Sequence, residues 1–282
     1  MLLGISSSLK HETPIQWAEQ MVELGCSAVI FPVDYTASDK TIANYLLAAK
    51  QYNLTIAEVG IWNNPIALPE NERKKAWERC VGQLRLADEI GAKCCVNITG
   101  TIGGPIWDGG YRENFSQKTW DQVVESIQLL LDEVKPVHTV YSVEPMPWMI
   151  PGGPDEYLRL IHAVDREQFK VHMDLVNMIT TPDRYFFAEE FMQECFDLLG
   201  NLICSCHLKD IRLLPQYTFQ LEEVACGEGS LNLEHYISLA NQYNPDMPMI
   251  IEHLHTDDEY RRSVEYLKDR IAKSKIGREK QK

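Results

Sequence analysis

Short apolar runs alternate with longer amphipathic segments along the whole chain. Eight of these runs have the length and the β-branched content of buried strands, and the segments between them carry apolar residues at helical spacing. The predicted strands cover residues 2–6, 28–32, 55–61, 94–98, 139–144, 170–175, 203–208 and 249–254. The predicted helices cover residues 14–24, 42–51, 70–90, 118–134, 155–163, 188–198, 233–241 and 257–271.

Glycines and polar residues at the segment boundaries support this division. Gly25 and Gly91 lie just past predicted helix ends, and Asp155, Ser116 and Asn232 stand where caps are expected. Eight consecutive strand–helix units predict an α/β protein with a (β/α)8 TIM barrel in a single domain, residues 1–272. A doubly wound parallel sheet is the alternative. The basic segment 273–282 is predicted to be a C-terminal tail that frays.

Composition and charge narrow the class of protein. The 282 residues are 45% hydrophobic and 24% charged, as in ordinary globular proteins, and the net charge of −14 argues against a nucleic-acid partner. The 8 cysteines include no CxxC pair, and several lie inside apolar runs, as buried free thiols do. The sequence contains no run of about 18 apolar residues, which is the length that predicts a membrane span. We therefore expect a cytoplasmic protein without a membrane partner, and a homo-oligomer remains open.

Four successive predicted strands in the second half of the chain end in acid or imidazole side chains: Glu144, Asp174, His207 and Glu252. In a parallel barrel these strand ends meet on one face. Three carboxylates within a few ångströms would repel one another strongly without a cation. We predict one divalent metal ion bound by all four residues, with Mn²⁺ favoured and Mg²⁺, Co²⁺ or Zn²⁺ as alternatives. Separate salt bridges with helix lysines or arginines are the competing explanation.

Three further polar residues are assigned to substrate binding. Strand alternation places His172 on the face of Asp174, where it would contact substrate or support a metal ligand from behind. Lys209 shares the face of His207 and would bind a substrate oxygen or neutralise the carboxylates. Glu58 lies within the third predicted strand, where it would bind a sugar hydroxyl or form a buried ion pair with Lys or Arg.

Three tryptophans follow predicted strands and suit the apolar faces of sugars. Trp62 follows the third strand and Trp148 follows the fifth. Trp107 lies in the glycine-rich loop 97–111 after the fourth strand, which is too long for a minimal connection and is predicted to close over the metal as a lid. Packing within the barrel rim is the competing explanation for each tryptophan.

Five segments together carry a resemblance to a known family. They are Ser142-Val-Glu-Pro145, Val171-His-Met-Asp-Leu-Val-Asn177, Cys206-His-Leu-Lys-Asp210, Gly227-Glu-Gly229 and Ile251-Glu252. Over about residues 1–270 the chain resembles the sugar phosphate isomerase/epimerase family of xylose-isomerase-like TIM barrels, and in particular its ketose 3-epimerases. The resemblance implies that Glu144, Asp174, His207 and Glu252 bind a divalent cation, commonly manganese. It also implies that Glu144 and Glu252 act as the acid and base.

The sequence departs from the epimerase pattern at substrate-binding positions. Asn177 replaces a histidine that touches the sugar, Ile150 replaces a second glutamate, and Arg212 matches an arginine only loosely. We keep Asn177 among the predicted substrate-binding residues. No phosphate-binding loop stands out after the seventh or eighth strand, which favours a free sugar or a glycoside over a sugar phosphate.

The predicted function is a metal-dependent isomerase, either an epimerase or an aldose–ketose isomerase, that transfers protons on a keto-sugar. A cation chelating the carbonyl and a neighbouring hydroxyl stabilises the enediolate left when the adjacent carbon loses its proton. A lyase or deglycosidase acting on a keto-glycoside is the alternative, because it would use the same stabilisation. A barrel that only binds sugar gives no reason for two metal-bound glutamates. A metallo-endonuclease of this fold would need more histidines and a basic groove.

Overall fold

The strands follow the alternating pattern of the sequence. The structure is a computed structural model that describes the backbone of residues 1–279 and the side chains of residues 1–271. Its strands are β1 (Leu2–Ile5), β2 (Ala28–Ile30), β3 (Thr55–Gly60), β4 (Cys94–Asn97), β5 (Tyr141–Val143), β6 (Phe169–Asp174), β7 (Ile203–Leu208), β8 (Asp210–Leu213), β9 (Leu221–Val224) and β10 (Pro248–Ile251).

Eight of these strands form one parallel sheet in the order β1-β10-β7-β6-β5-β4-β3-β2. Its two end strands lie side by side, because Ser27 N–H donates to the carbonyl of Leu3 at 2.8 Å and Leu3 N–H donates to Ser27 Oγ at 3.2 Å. The sheet is therefore a nearly closed barrel in a single domain, and the predicted (β/α)8 TIM barrel is confirmed.

Helices surround the barrel and begin and end largely where the sequence predicts. Ser116 caps the helix after the fourth strand by accepting from Thr119 N–H, and Asn232 caps a later helix in the same way. Asp155 is not a cap, because its helix begins at Pro154 directly after Gly153. The helices are α1 (Pro14–Leu24), α2 (Asp39–Gln51), α3 (Glu70–Ile90), α4 (Gln117–Val134), α5 (Pro154–Val164), α6 (Leu175–Met178), α7 (Pro182–Phe186), α8 (Ala188–Leu199), α9 (Leu233–Tyr243) and α10 (Asp257–Glu279).

Two stretches of the helical layer differ from the prediction. The short helices α6 and α7 were not predicted, and both lie in the connection that follows β6. Helix α10 continues to Glu279, beyond the predicted end at residue 271 and through much of the segment predicted as a frayed tail. Residues 280–282 of that predicted tail lie outside the described residues.

The core has an apolar shell and a polar centre. Outward-facing strand residues pack against the helices, and their large members, such as Tyr141 and Phe169, are fully buried together with Trp17 of α1. Inside the barrel a small apolar cluster of Ala28, Ala57 and Ile250 fills one layer. The inward positions nearer the carboxyl ends of the strands carry polar side chains instead. This exchange of apolar for polar residues marks the face where barrels place chemistry.

An antiparallel hairpin of β8 and β9 stands beyond β7 and was not predicted. Its residues pair from Asp210 opposite Val224 to Leu213 opposite Leu221. Arg212, the loose match to the epimerase arginine, donates to Glu222 across the hairpin at 2.7 Å. β8 alternates polar and apolar residues over only four positions, and β9 reads Leu-Glu-Glu-Val without alternation, so hydrophobic periodicity gives only a weak signal for this hairpin.

Asp210 joins this hairpin to the start of α9. Its Oδ1 accepts from the backbone N–H groups of Ile211 and Leu231, and its Oδ2 accepts from those of Gly227 and Gly229, at 2.9–3.1 Å. The turn Gly227-Glu228-Gly229 therefore directs backbone N–H groups at an anion, and that anion is the carboxylate of Asp210. Burial raises the pKa of Asp210, although these four hydrogen bonds oppose that shift.

We expect Asp210→Asn to destabilise the protein by roughly 2–4 kcal/mol, because an amide NH₂ would face two backbone N–H donors that now share a carboxylate. Urea denaturation measures the change in the free energy of unfolding. Asp197→Asn, at an exposed site on α8, is the control and should change stability by less than about 0.5 kcal/mol. A similarly small effect at Asp210 would show that the turn does not need the carboxylate.

Candidate metal centre and active site

The four predicted ligands meet at the carboxyl ends of β5, β6, β7 and β10. Nδ1 of His207 lies 2.8 Å from Oε1 of Glu252, 3.4 Å from Oε2 of Glu144 and 3.5 Å from Oδ2 of Asp174. One ligand atom from each residue lies within 4.8 Å of the other three, and all four residues are buried. The structure thus brings together the set that the sequence pointed to.

Lys209 and Asn177 connect the members of this cluster. The ammonium of Lys209 lies 2.6 Å from Oδ2 of Asp174 and 2.7 Å from Oε1 of Glu252. Asn177 donates from Nδ2 to Oε1 of Glu144 at 2.7 Å and accepts from Lys209 at 3.2 Å. The backbone N–H of Asn177 also donates to Oδ1 of Asp174, so the carboxylate caps α6. These contacts fix the orientation of all three acids.

The donor set and its electrostatics fit a divalent cation. Oδ2 of Asp174, Nδ1 of His207 and Oε1 of Glu252 are buried, and their close contacts within the described part of the chain include the ionic ones with one another and with Lys209. Burial and the neighbouring Glu252 raise the pKa of Glu144 to about 6. Burial alone would lower the pKa of His207, but the surrounding carboxylates hold it well above its ordinary value. The cluster therefore favours added positive charge, and three carboxylates with one imidazole suit a hard or borderline ion.

A second polar layer lies beneath His207. Oε1 of Glu58 accepts from the hydroxyl of Ser205 and lies 3.2 Å from Nε2 of His172, while Oε2 of Glu58 lies 3.5 Å from Nε2 of His207. The two imidazole rings meet edge to face at 4.1 Å. Burial raises the pKa of Glu58, but the two histidines more than offset this and hold it below its ordinary value.

The contacts of Glu58 and His172 lie within this layer. Both side chains are fully buried, and their partners are each other, Ser205 and His207. Glu58 is not exposed to a space that a sugar hydroxyl could enter, and within the described residues it contacts no Lys or Arg. His172 contacts Glu58 and packs its ring against that of His207. The contact between Glu58 and Ser205 could not be predicted from local sequence, because the two residues lie 147 positions apart.

Two residues near the centre were missed by the sequence analysis. Glu223 of β9 lies 3.9 Å from the ammonium of Lys209 and 2.8 Å from Nδ1 of His253. His253 follows Glu252 with a left-handed φ of 60°, which turns its ring so that Nε2 lies 3.5 Å from Oε1 of Glu252. Strand alternation alone would place His253 on the face opposite Glu252, and the turn at His253 overrides that pattern.

The three tryptophans surround the barrel mouth in two different ways. Trp148 donates from its indole to the carbonyl of Asp108 at 2.7 Å, so it ties the loop after β5 to the loop after β4. Trp62 and Trp107 are 37% and 45% exposed and line one cavity. Ile150, at the position of the missing glutamate, is buried in the apolar core.

Fold and site together define a class of protein. It is a (β/α)8 barrel with a buried centre of three carboxylates and one imidazole at the carboxyl ends of its strands. The profile of the family described as xylose isomerase-like TIM barrel matches residues 18–270. The chain belongs to this family, which confirms the resemblance found in the sequence.

Solved structures share the fold at low sequence identity. A D-tagatose 3-epimerase-like protein has 18% identity and a TM-score of 0.75, with 100% of both chains covered. The 3-keto-D-glucoside 4-epimerase YcjR from E. coli, in its apo form, has 16% identity and a TM-score of 0.71 over 95% of this chain and 99% of that chain. A xylose isomerase-like TIM barrel protein from Mycobacterium smegmatis in complex with magnesium has 17% identity and a TM-score of 0.68 over 91% and 87%. A search of curated proteins found no match.

Within the described residues, no helix combines the length and the apolar character needed to cross a bilayer.

Proposed function

We propose that the protein is a divalent-cation-dependent keto-sugar isomerase or epimerase that acts by proton transfer. The observation that carries this proposal is the placement of Glu144 and Glu252 in one buried centre. Their strands, β5 and β10, flank β6 and β7 in the sheet, so the two carboxylates approach the centre from its two sides. Two of the similar structures are named as sugar epimerases or epimerase-like, which supports a carbohydrate substrate.

The residues of the chain divide the work of the reaction. A cation bound by Glu144, Asp174, His207 and Glu252 would polarise the substrate carbonyl and stabilise the charge that develops on its oxygen. One glutamate takes the proton from the carbon beside the carbonyl, and the other returns a proton to the opposite face, which inverts that carbon. Return to the neighbouring carbon gives aldose–ketose isomerisation instead. Burial of the centre excludes water that would compete for these protons.

Incubation of the protein with a panel of keto-sugars and keto-glycosides and Mn²⁺ in D₂O tests the proposal. We expect deuterium to enter one carbon-bound position of the true substrate as the epimer or the aldose forms. NMR spectroscopy measures both changes. A lyase or deglycosidase acting on a keto-glycoside remains the second candidate, because Asn177 and Ile150 alter the substrate positions of the epimerase pattern. It would release the aglycone in the same assay without forming an epimer.

The ion and the cellular compartment are proposed on donor chemistry and cysteine usage. Hard oxygen donors with one imidazole favour Mn²⁺ over Zn²⁺, and Mg²⁺ is the first ion to compare because one similar structure is described in complex with it.

All eight cysteines are free thiols and all but Cys204 are buried, which suits a reducing compartment such as the cytoplasm.

We further propose that Glu58 positions His207 for metal binding. A carboxylate behind a ligating imidazole fixes the ring and its tautomer, here with Nδ1 turned towards the cation. We expect Glu58→Gln to weaken Mn²⁺ binding by roughly 10- to 100-fold while the barrel stays folded, as measured by calorimetric titration and by thermal unfolding. Ser205→Ala, which removes one donor to Glu58 without touching a ligand, should have a smaller effect. Unchanged affinity in a folded Glu58→Gln protein would remove Glu58 from the metal centre.

A further inference from the structure

A cavity of about 790 Å³ opens beyond the carboxyl ends of β3 and β4. Its walls come from the loop after β3, the loop after β4 and the first turns of α3. They include Trp62, Asn64, Leu68, Lys75, Ile102 and Trp107. The volume falls within the roughly 300–1,000 Å³ of small-molecule sites. No metal ligand lines this cavity, so it is distinct from the cluster around His207.

Trp62 connects the cavity to the barrel mouth. Glu58 and Gly60 share the inward face of β3, and Gly60 lies two residues nearer the mouth, a rise of roughly 7 Å. A Cβ built on Gly60 would meet Nε1 of Trp62, so the indole lies across the inward side of the strand above Glu58. Trp62 holds this place with a left-handed φ of 52°, which is unfavourable for a bulky residue. Such strain is retained where a side chain must point in one direction.

The cavity wall is ordered before any ligand arrives. Asn64 donates from Nδ2 to the carbonyl of Thr101 at 2.6 Å, and its Oδ1 accepts from Thr101 N–H at 3.2 Å. These bonds join the loop after β3 to the loop after β4, so the two tryptophans are held in one wall. Pre-ordering of this kind lowers the entropic cost of binding.

The chemistry of the wall suits a sugar ring. Trp62 and Trp107 present exposed aromatic faces, and neither indole N–H makes a hydrogen bond within the described residues. Exposed Glu72 and Lys75 add an acceptor and a donor at the rim. A pyranose has an apolar face that stacks on indole and equatorial hydroxyls that need polar partners. The cavity offers both.

We propose that this cavity is a second sugar-binding site, and that the substrate is a keto-glycoside whose second ring lies between Trp62 and Trp107. The inference rests on the proposed function for the ring at the metal centre. The keto-sugar ring lies over the cluster of Glu144, Asp174, His207 and Glu252, and the glycosidic bond passes Trp62. A monosaccharide fills only the first of the two sites.

Binding of unreactive sugars tests the second site without any catalysis. Calorimetric titration compares glucose with maltose, cellobiose and trehalose, and we expect at least one disaccharide to bind about tenfold more tightly than glucose. Trp107→Ala should reduce the affinity for that disaccharide by roughly 3- to 10-fold and leave the affinity for glucose unchanged, the scale expected for one aromatic stacking contact. Trp107→Phe should restore part of the loss.

Trp120→Ala provides the matched control. Trp120 is a half-buried tryptophan of α4 that packs against Arg159, outside the cavity. The Trp120→Ala variant should keep the wild-type preference for the disaccharide over glucose. Equal affinity for glucose and all three disaccharides, or a preference that survives Trp62→Ala combined with Trp107→Ala, would overturn the second site.

Deuterium exchange on keto-sugars separates this inference from the proposed function. If no keto-sugar exchanges a carbon-bound proton but the preference for a disaccharide depends on Trp107, the proposed reaction fails and the second site stands. If a keto-monosaccharide exchanges as fast as its glycosides in the wild-type protein and in Trp107→Ala, the reaction stands and the second site fails.

Discussion

Replacing Asp174 with alanine should lower the affinity for Mn²⁺ by about 10²-fold or more and abolish proton exchange on the substrate in parallel. The variant removes a carboxylate that faces His207 and Lys209 and leaves the remaining donors with too few oxygens for a hard cation. His207→Ala should act in the same way, because it removes the imidazole at the centre of the cluster. We expect the wild-type protein to bind one Mn²⁺ per chain.

Calorimetric titration of protein treated with a chelator measures this affinity, and thermal unfolding with and without Mn²⁺ provides a second readout. A cation that binds only the folded protein raises its melting temperature, so the wild-type should show the shift and both variants should lose it. Asp197→Ala on α8 removes an exposed aspartate far from the centre and should behave as wild-type. Wild-type protein that binds no ion at saturating Mn²⁺ would refute the metal centre altogether.

Glu144→Gln and Glu252→Gln should each lower the exchange of the substrate's carbon-bound proton with D₂O by roughly 10²–10⁴-fold, the usual scale of general acid–base catalysis. Glutamine keeps the size of the side chain and one oxygen donor but cannot take up a proton at neutral pH. The amide can still receive the hydrogen bond that Asn177 donates to Glu144, so local structure should persist. Each variant should therefore keep much of its bound metal while it loses the reaction.

Metal content and exchange must be measured on the same preparations, because loss of both would indicate only a damaged metal centre. Near-normal exchange in both variants would exclude the two-carboxylate mechanism. The next base to consider would then be His253, whose Nε2 lies 3.5 Å from Glu252 and whose other nitrogen is held by Glu223.

The sequence predicted those parts of the site that depend on strand periodicity and strand ends. Glu144, Asp174, His207 and Glu252 each close a regular apolar run, so alternation and barrel topology alone bring them together. Lys209 follows from the same alternation, since it lies two residues beyond His207, whereas Asn177 was assigned from the resemblance to the epimerases.

The remaining features depend on contacts that no local pattern records. Glu58 finds Ser205 and His207 across the barrel, and a register irregularity in β2 and β3 near Ala57 accompanies its inward position. Glu223 approaches Lys209 from a hairpin whose two four-residue strands are too short to be predicted from periodicity. His253 and Trp62 point where they do because of left-handed backbone turns, which alternation does not anticipate.

The ligands and the two cavity tryptophans stand on different segments of the chain. All four predicted ligands belong to β5, β6, β7 and β10 or the residue that follows, whereas Trp62 and Trp107 belong to the loops after β3 and β4. Substitutions or insertions in those two loops can therefore change which molecule fits without displacing a carboxylate. A lineage built on this barrel can acquire a new substrate by altering two surface loops, while the reaction itself is inherited unchanged.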